Sequence, residues 1–120
     1  MRLLVVDDDD FAAAMTAAVL EDGGHEAVIV ESGAAALQVL AAGPAFDAVI
    51  SDMNMPRLSG LELFAALRAE GCTLPFILLS GDDPQALQRR EPQLDACIAK
   101  DGNLEHTLAG ALANLFPARN

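Results

Sequence analysis

The sequence predicts an α/β domain: a single-domain (βα)5 unit with a doubly wound parallel sheet and helices on both faces. Three observations predict it. Short runs rich in β-branched residues alternate with amphipathic stretches five times along the chain. The strand-like runs are continuously apolar rather than alternating, the pattern of strands buried on both faces. The chain has 120 residues, 52% of them of apolar type, enough for one sizeable core, and residues 1–120 are taken as one domain.

The elements follow in order. Leu3–Val6 reads as a buried strand. Phe11 to Leu20 reads as a helix, with Phe11, Met15, Ala18 and Val19 on its apolar stripe, Asp9 or Asp10 as its cap and Gly23-Gly24 as its stop. Ala27–Val30 is the second strand. Ser32 then caps a helix that turns Ala36, Leu37 and Leu40 inward and stops at Gly43-Pro44. Asp47–Ser51 is the third strand, and Gly60 to Glu70 is the third helix, with Leu61, Phe64 and Leu67 on one face. Phe76–Leu79 is the fourth strand. Pro84–Arg90 is a short fourth helix, because Pro92 lacks the N–H needed to extend it. Ala96–Ala99 is the fifth strand, and Leu104, Leu108, Ala111, Leu112 and Leu115 mark the last helix.

Composition narrows the function. The formal net charge of −11 argues against direct nucleic-acid binding or an acidic-membrane surface, because phosphates are repelled. It suits a basic or apolar partner, or a site that collects cations. No apolar run approaches the roughly 18 residues of a membrane span. The two cysteines, Cys72 and Cys97, lack Cys-x-x-Cys spacing and read as reduced thiols. The start at Met1 shows no signal-peptide pattern, and the expected location is cytoplasmic.

In parallel α/β sheets ligands gather beyond the C-terminal strand ends. There the sequence puts Asp7 and Asp8 after strand one, Asp52 after strand three, Ser80 after strand four and Lys100 after strand five. Alone, each residue has an ordinary reading: a solvated helix start, a turn ahead of Pro56, a turn former before Gly81, a solvated lysine. Together they sit after four different strands with complementary charge. Three carboxylates and one ammonium leave −2, the charge one divalent cation balances. Oxygen-only donors without His or Cys favour Mg²⁺, with Mn²⁺ as the alternative, over zinc. Rival motifs fail. An EF-hand loop from Asp7 needs a ligand at Phe11, and one from Asp52 needs glycine at Arg57 and Glu at Leu63. Neither G-x-x-x-x-G-K-[ST] nor a G-x-G-x-x-G after strand one is present. His25 and His106 fall outside the cluster.

The segments LLVVDDDD and DAVISDMNMPRLSGLEL, the pair Ser80-Gly81 and Lys100 resemble the receiver domain of two-component response regulators over nearly the whole chain. The resemblance implies a flavodoxin-type, CheY-like fold with strand order 2-1-3-4-5. It implies a phosphoryl group accepted on Asp52 from a histidine kinase or histidine phosphotransfer protein. It makes Asp8 the direct metal ligand, with Asp7 acting largely through water, and gives Asn54 a metal-binding backbone carbonyl. Ser80 corresponds to the hydroxyl that bonds the phosphoryl group and Lys100 to the cation beside it. Asn54 and Asp82 correspond to positions that flank the hydrolytic water and bear on signal lifetime. The expected role is a signalling switch, with only self-catalysed phosphorylation and dephosphorylation, acting on an unidentified output partner or domain and compatible with a homodimer.

Three departures from the family lie on the output side. Cys97 stands where an aromatic switch residue is usual. Asp101 stands where proline, often cis, is usual, and the bond before it is expected trans because a cis bond to a non-proline residue costs about 3 kcal/mol. The fourth helix is short, and Gly-Ala is missing before strand five. Two rivals remain. A haloacid dehalogenase-type phosphatase needs an acid where Asn54 stands, and a pseudo-receiver that is never phosphorylated has no need of the complete five-residue set.

Overall fold

The computed structural model describes residues 1–43, 45–81 and 83–116. Pro44 and Asp82, both used in the sequence reading, lie outside the described residues. Five strands and five helices alternate: β1 Arg2–Val6, α1 Asp10–Asp22, β2 Glu26–Val30, α2 Gly33–Ala41, β3 Ala48–Asp52, α3 Gly60–Ala69, β4 Phe76–Ser80, α4 Pro84–Arg90, β5 Ala96–Ala99 and α5 Leu104–Leu115. All four strand pairings are parallel, in the order β2-β1-β3-β4-β5. The predicted class and strand order are those observed.

Strand alternation divides the core into two layers. Leu4, Val6, Val49 and Leu78 face one side and pack with Ala36 of α2, Leu63, Phe64 and Leu67 of α3, and Leu87 of α4. Leu3, Val5, Ile50, Ile77 and Leu79 face the other and pack with Leu20 of α1 and Leu108 and Leu112 of α5. The helix starts are fixed by short polar side chains that accept first-turn N–H groups: Asp9 for α1, Ser32 for α2, Asp83 for α4, and a reciprocal Ser59–Glu62 box for α3.

The inward face of α1 differs from expectation. Ala13, Thr16, Ala17 and Leu20 are buried, while Phe11 is 75% and Met15 53% exposed. Ala18 is exposed and Val19 half-buried. The helix packs on β1 and β2 with its small residues, and the two large side chains stand outside. The rule of burial on both faces also fails at β2. It is an edge strand, and Ile29 is 43% exposed. β3 ends on Asp52 itself rather than on Ser51.

An acidic pocket at the C-terminal strand ends

Asp7 leaves β1 with its N–H donating to the Val30 carbonyl at 3.1 Å, and its Oδ1 accepts from the Asp9 N–H at 3.0 Å. That places Asp7 inside, at 2% exposure, while Asp8 beside it is exposed. Asp52 closes β3 at 6% exposure, and the next N–H, of Met53, donates to the Leu79 carbonyl at 2.8 Å. Ser80 is fully buried at the end of β4, paired with Ala99. The Lys100 N–H donates to the Ser80 carbonyl at 2.8 Å, so the lysine leaves β5 beside the serine.

The register brings these ends together. Lys100 Nζ donates to Asp52 Oδ1 at 3.1 Å and to Asp7 Oδ2 at 3.3 Å. Asp7, Asp8 and Asp52 each bring one carboxylate oxygen within 4.8 Å of the other two. Asn54 is exposed on the loop between β3 and α3. Five of the six predicted site residues thus gather at one sheet edge, and Asn54 lies two residues beyond Asp52. His25 takes no part in these bonds and instead faces the main-chain amino group at 3.4 Å.

The electrostatics favour added positive charge. Burial pushes the Asp52 carboxyl above the ordinary carboxylate range; its bond to Lys100 opposes this, and Asp7 and Asp8 add to it. Burial disfavours the Lys100 ammonium as well, but Asp52 and then Asp7 outweigh it and hold its pKa above the ordinary value. One ammonium balances one of three clustered carboxylates, and the oxygen-only donor set fits a hard divalent cation.

The departures are visible too. Cys97 is half-buried against the α2–α4 side of the core, where burial and then Asp83 push its thiol pKa up. Among the described residues no peptide bond is cis, as expected at Lys100-Asp101. Asp95, just ahead of β5, ties that strand to its neighbour: its Oδ2 accepts from the Phe76 N–H at 2.7 Å at the start of β4.

Two residues at the pocket escape the sequence reading. Ser51 is fully buried, and its Oγ donates to the Asp52 carbonyl at 2.9 Å. Gly60 opens α3 so close to β3 that a Cβ there would stand 2.5 Å from that same oxygen. A serine ending an apolar strand and a glycine opening a helix are the signals that could have found them.

Comparison with known proteins agrees with the geometry. The sequence profile described as the response regulator receiver domain matches residues 3–111. The sensor histidine kinase RcsC of Salmonella typhimurium is 35% identical over 75 residues, 61% of this chain and 8% of RcsC. The response regulator MprA of Mycolicibacterium vanbaalenii is 39% identical over 66 residues, 55% of this chain and 27% of MprA. This chain therefore corresponds to a small part of those curated relatives. Among solved structures, TrrA of Thermotoga maritima, in complex with Mg(2+)-BeF, matches with a TM-score of 0.85 and 29% identity over 96% of this chain and 98% of that one. The chemotaxis response regulator CheY4 of Vibrio cholerae matches with a TM-score of 0.81 and 28% identity over 96% of this chain and 98% of CheY4. With the five-stranded order, the acidic pocket and a profile match spanning both its ends, the chain belongs to the response regulator receiver domain family of two-component signalling.

Proposed function

We propose that this chain, as one receiver domain over residues 1–120, is a phospho-switch that accepts a phosphoryl group on Asp52 from a histidine kinase or histidine phosphotransfer protein. The observation that carries the reading is the grouping of Asp7, Asp8 and Asp52 within 4.8 Å, with Lys100 bonded to two of them. A Mg²⁺ ion held by Asp7, Asp8, Asp52 and the Asn54 carbonyl would neutralise charge on the transferring phosphoryl oxygens.

The chain's own groups do the rest. The Asp52 carboxylate attacks phosphorus, so an O–P bond forms as the donor's N–P bond breaks and the imidazole departs. Lys100, already 3.1 Å from Asp52, stays paired with the new phosphoryl oxygens. Ser80, buried one strand over, supplies a hydroxyl donor to them. Phosphorylation adds roughly one further negative charge to the pocket. That charge draws the Ser80 loop toward it and biases two pre-existing surface states. Self-catalysed hydrolysis returns Asp52 to the carboxylate, with Asn54, two residues on, beside the water.

A donor that carries phosphohistidine needs a surface beside the pocket. The exposed Phe11 and Met15, on the first turns of α1, offer one. With Cys97 in place of an aromatic residue, output runs through the β4–α4 segment rather than through a ring rotation at residue 97. The two free thiols, Cys72 and Cys97, suit a cytoplasmic setting.

Acetyl phosphate with Mg²⁺, followed by intact mass, tests the reading. It expects one added phosphate in the wild type and none in Asp52→Asn. Multiple turnover of unrelated phosphomonoesters would make the chain a phosphatase instead, and no adduct with any donor would make it a pseudo-receiver. Amide shifts with beryllofluoride locate the output: changes confined to the β4–β5 surface, sparing α4, sink the route proposed here.

A further inference from the structure

The pairing of β1 with β3 ends at Val6 and Ser51, so Asp52 lies one residue past its last β1 partner. Its main-chain carbonyl is nonetheless held. The Ser51 hydroxyl donates to it at 2.9 Å within the protein interior. From another direction α3 presses in at Gly60, whose N–H donates to the next carbonyl, of Met53, at 2.9 Å. Ser51 pairs with Val6 and Leu78, both apolar core residues. A serine there must bury its hydroxyl, which is disfavoured without a partner. Packing alone is met equally well by an apolar side chain of similar size.

A peptide unit is a rigid plane. Rotating the Asp52–Met53 plane changes two things together: the backbone torsion that aims the Asp52 side chain, and the start of the loop that leads to Asn54. We infer that Ser51 is a positioning residue for phosphoryl acceptance: by fixing that plane, its hydroxyl sets the Asp52 carboxylate and the Asn54 carbonyl relative to one another. Ser51 touches neither the transferring group nor the cation and acts through Asp52. The inference rests on the phospho-switch reading above. Pre-set geometry of this kind lowers the reorganisation needed when a cation or a phosphoryl donor arrives.

Ser51→Thr and Ser51→Val test it together. The two side chains share a shape and differ by the hydroxyl, so any strain from the added bulk is common to both. Ser51→Ala gives the small-residue reference. Mg²⁺ affinity is read from amide shifts in a Mg²⁺ titration, and the rate of phosphate addition from acetyl phosphate is read by intact mass. Both are taken well below each variant's melting temperature. Ser51→Thr is expected to exceed Ser51→Val in both by about 3- to 10-fold, the worth of one hydrogen bond. Ser51→Ala is expected to fall below wild type by a similar factor. If the hydroxyl only stabilised the fold, its loss would lower the melting temperatures and leave both site readouts equal across the series, and that result overturns the inference. If the wild type takes up no phosphate, the phospho-switch reading fails, and the Mg²⁺ titrations still decide whether Ser51 positions the pocket.

Discussion

Gly60→Ala probes the closest backbone approach at the pocket. A Cβ at this position would lie 2.5 Å from the Asp52 carbonyl oxygen, 2.4 Å from Leu78 Cδ1 and 3.0 Å from Met53 Cα. Leu78 can turn its methyl aside at small cost, but the Asp52 carbonyl belongs to β3. Ordinary contact begins at 3.4 Å, so α3 and β3 must separate by about 0.9 Å. Overpacking of this kind costs about 1–3 kcal/mol. Alanine's better helix propensity returns up to about 1 kcal/mol, less at a first-turn position. The net loss of about 1–2 kcal/mol corresponds to roughly 4–8 °C in melting temperature for a chain of this length. The displacement falls on the residue proposed as nucleophile, and a misplacement near 1 Å costs up to about 100-fold in rate. Circular dichroism melts measure the first effect, because the chain has no tryptophan or tyrosine to follow by fluorescence. The rate of phosphate addition from acetyl phosphate measures the second. A Gly60→Ala protein as stable as wild type, with an unchanged rate, would refute the close-approach argument.

Three further outcomes follow from the same geometry. Asp52→Asn should stabilise the metal-free domain by about 1 kcal/mol at neutral pH in chelator, because burial and the neighbouring acids disfavour the ionised carboxylate. Since the folded pKa of Asp52 is raised, that penalty is full above the folded value and vanishes below the unfolded one, so melts should show the gap closing as the pH falls toward about 4. Lys100, whose folded pKa is also raised, contributes stability that is complete below its ordinary value of 10.5 and lost above it. The stability gap between wild type and Lys100→Met should therefore stay level to about pH 9 and narrow beyond 10.5, in a chain with no other lysine and no tyrosine to titrate there. Arg57 has a φ of 69°, in the left-handed region. In urea unfolding, Arg57→Gly should gain up to about 1 kcal/mol and the β-branched Arg57→Ile should lose about 1–2 kcal/mol; the reverse order would show that the turn is not strained.

Most of the pocket was legible in the sequence because each of its acids stands at or within two residues of a strand's C-terminal end. A run such as LLVV before Asp7 or FILL before Ser80 marks the strand and its end in one reading, and parallel topology brings those ends together. What escaped depends on distance rather than pattern. The large side chains Phe11 and Met15 suggested the inward stripe of α1, but the helix sits close enough to the sheet that Ala13 and Ala17 line the contact. Ile29 looked like core because its strand is apolar, yet its exposure follows from β2 being an edge, a property of strand order that no local window contains. Ser51 passed as the polar end of an apolar strand, since a single hydroxyl acting on the next carbonyl leaves no periodic trace.

Lys100 Nζ sits between Asp7 and Asp52, and no other lysine occurs in the chain. Apart from the main-chain amino terminus, an acylating reagent therefore has one amine to find, and it lies in the pocket. Its side chain is only 26% exposed, and its raised pKa keeps it protonated and slow to react. Anything that loosens its hold on Asp52 changes that reactivity. The receiver thus carries its own reporter: the rate of acylation at Lys100, told apart from the amino terminus by peptide mapping, follows how firmly the lysine is engaged, with no residue changed.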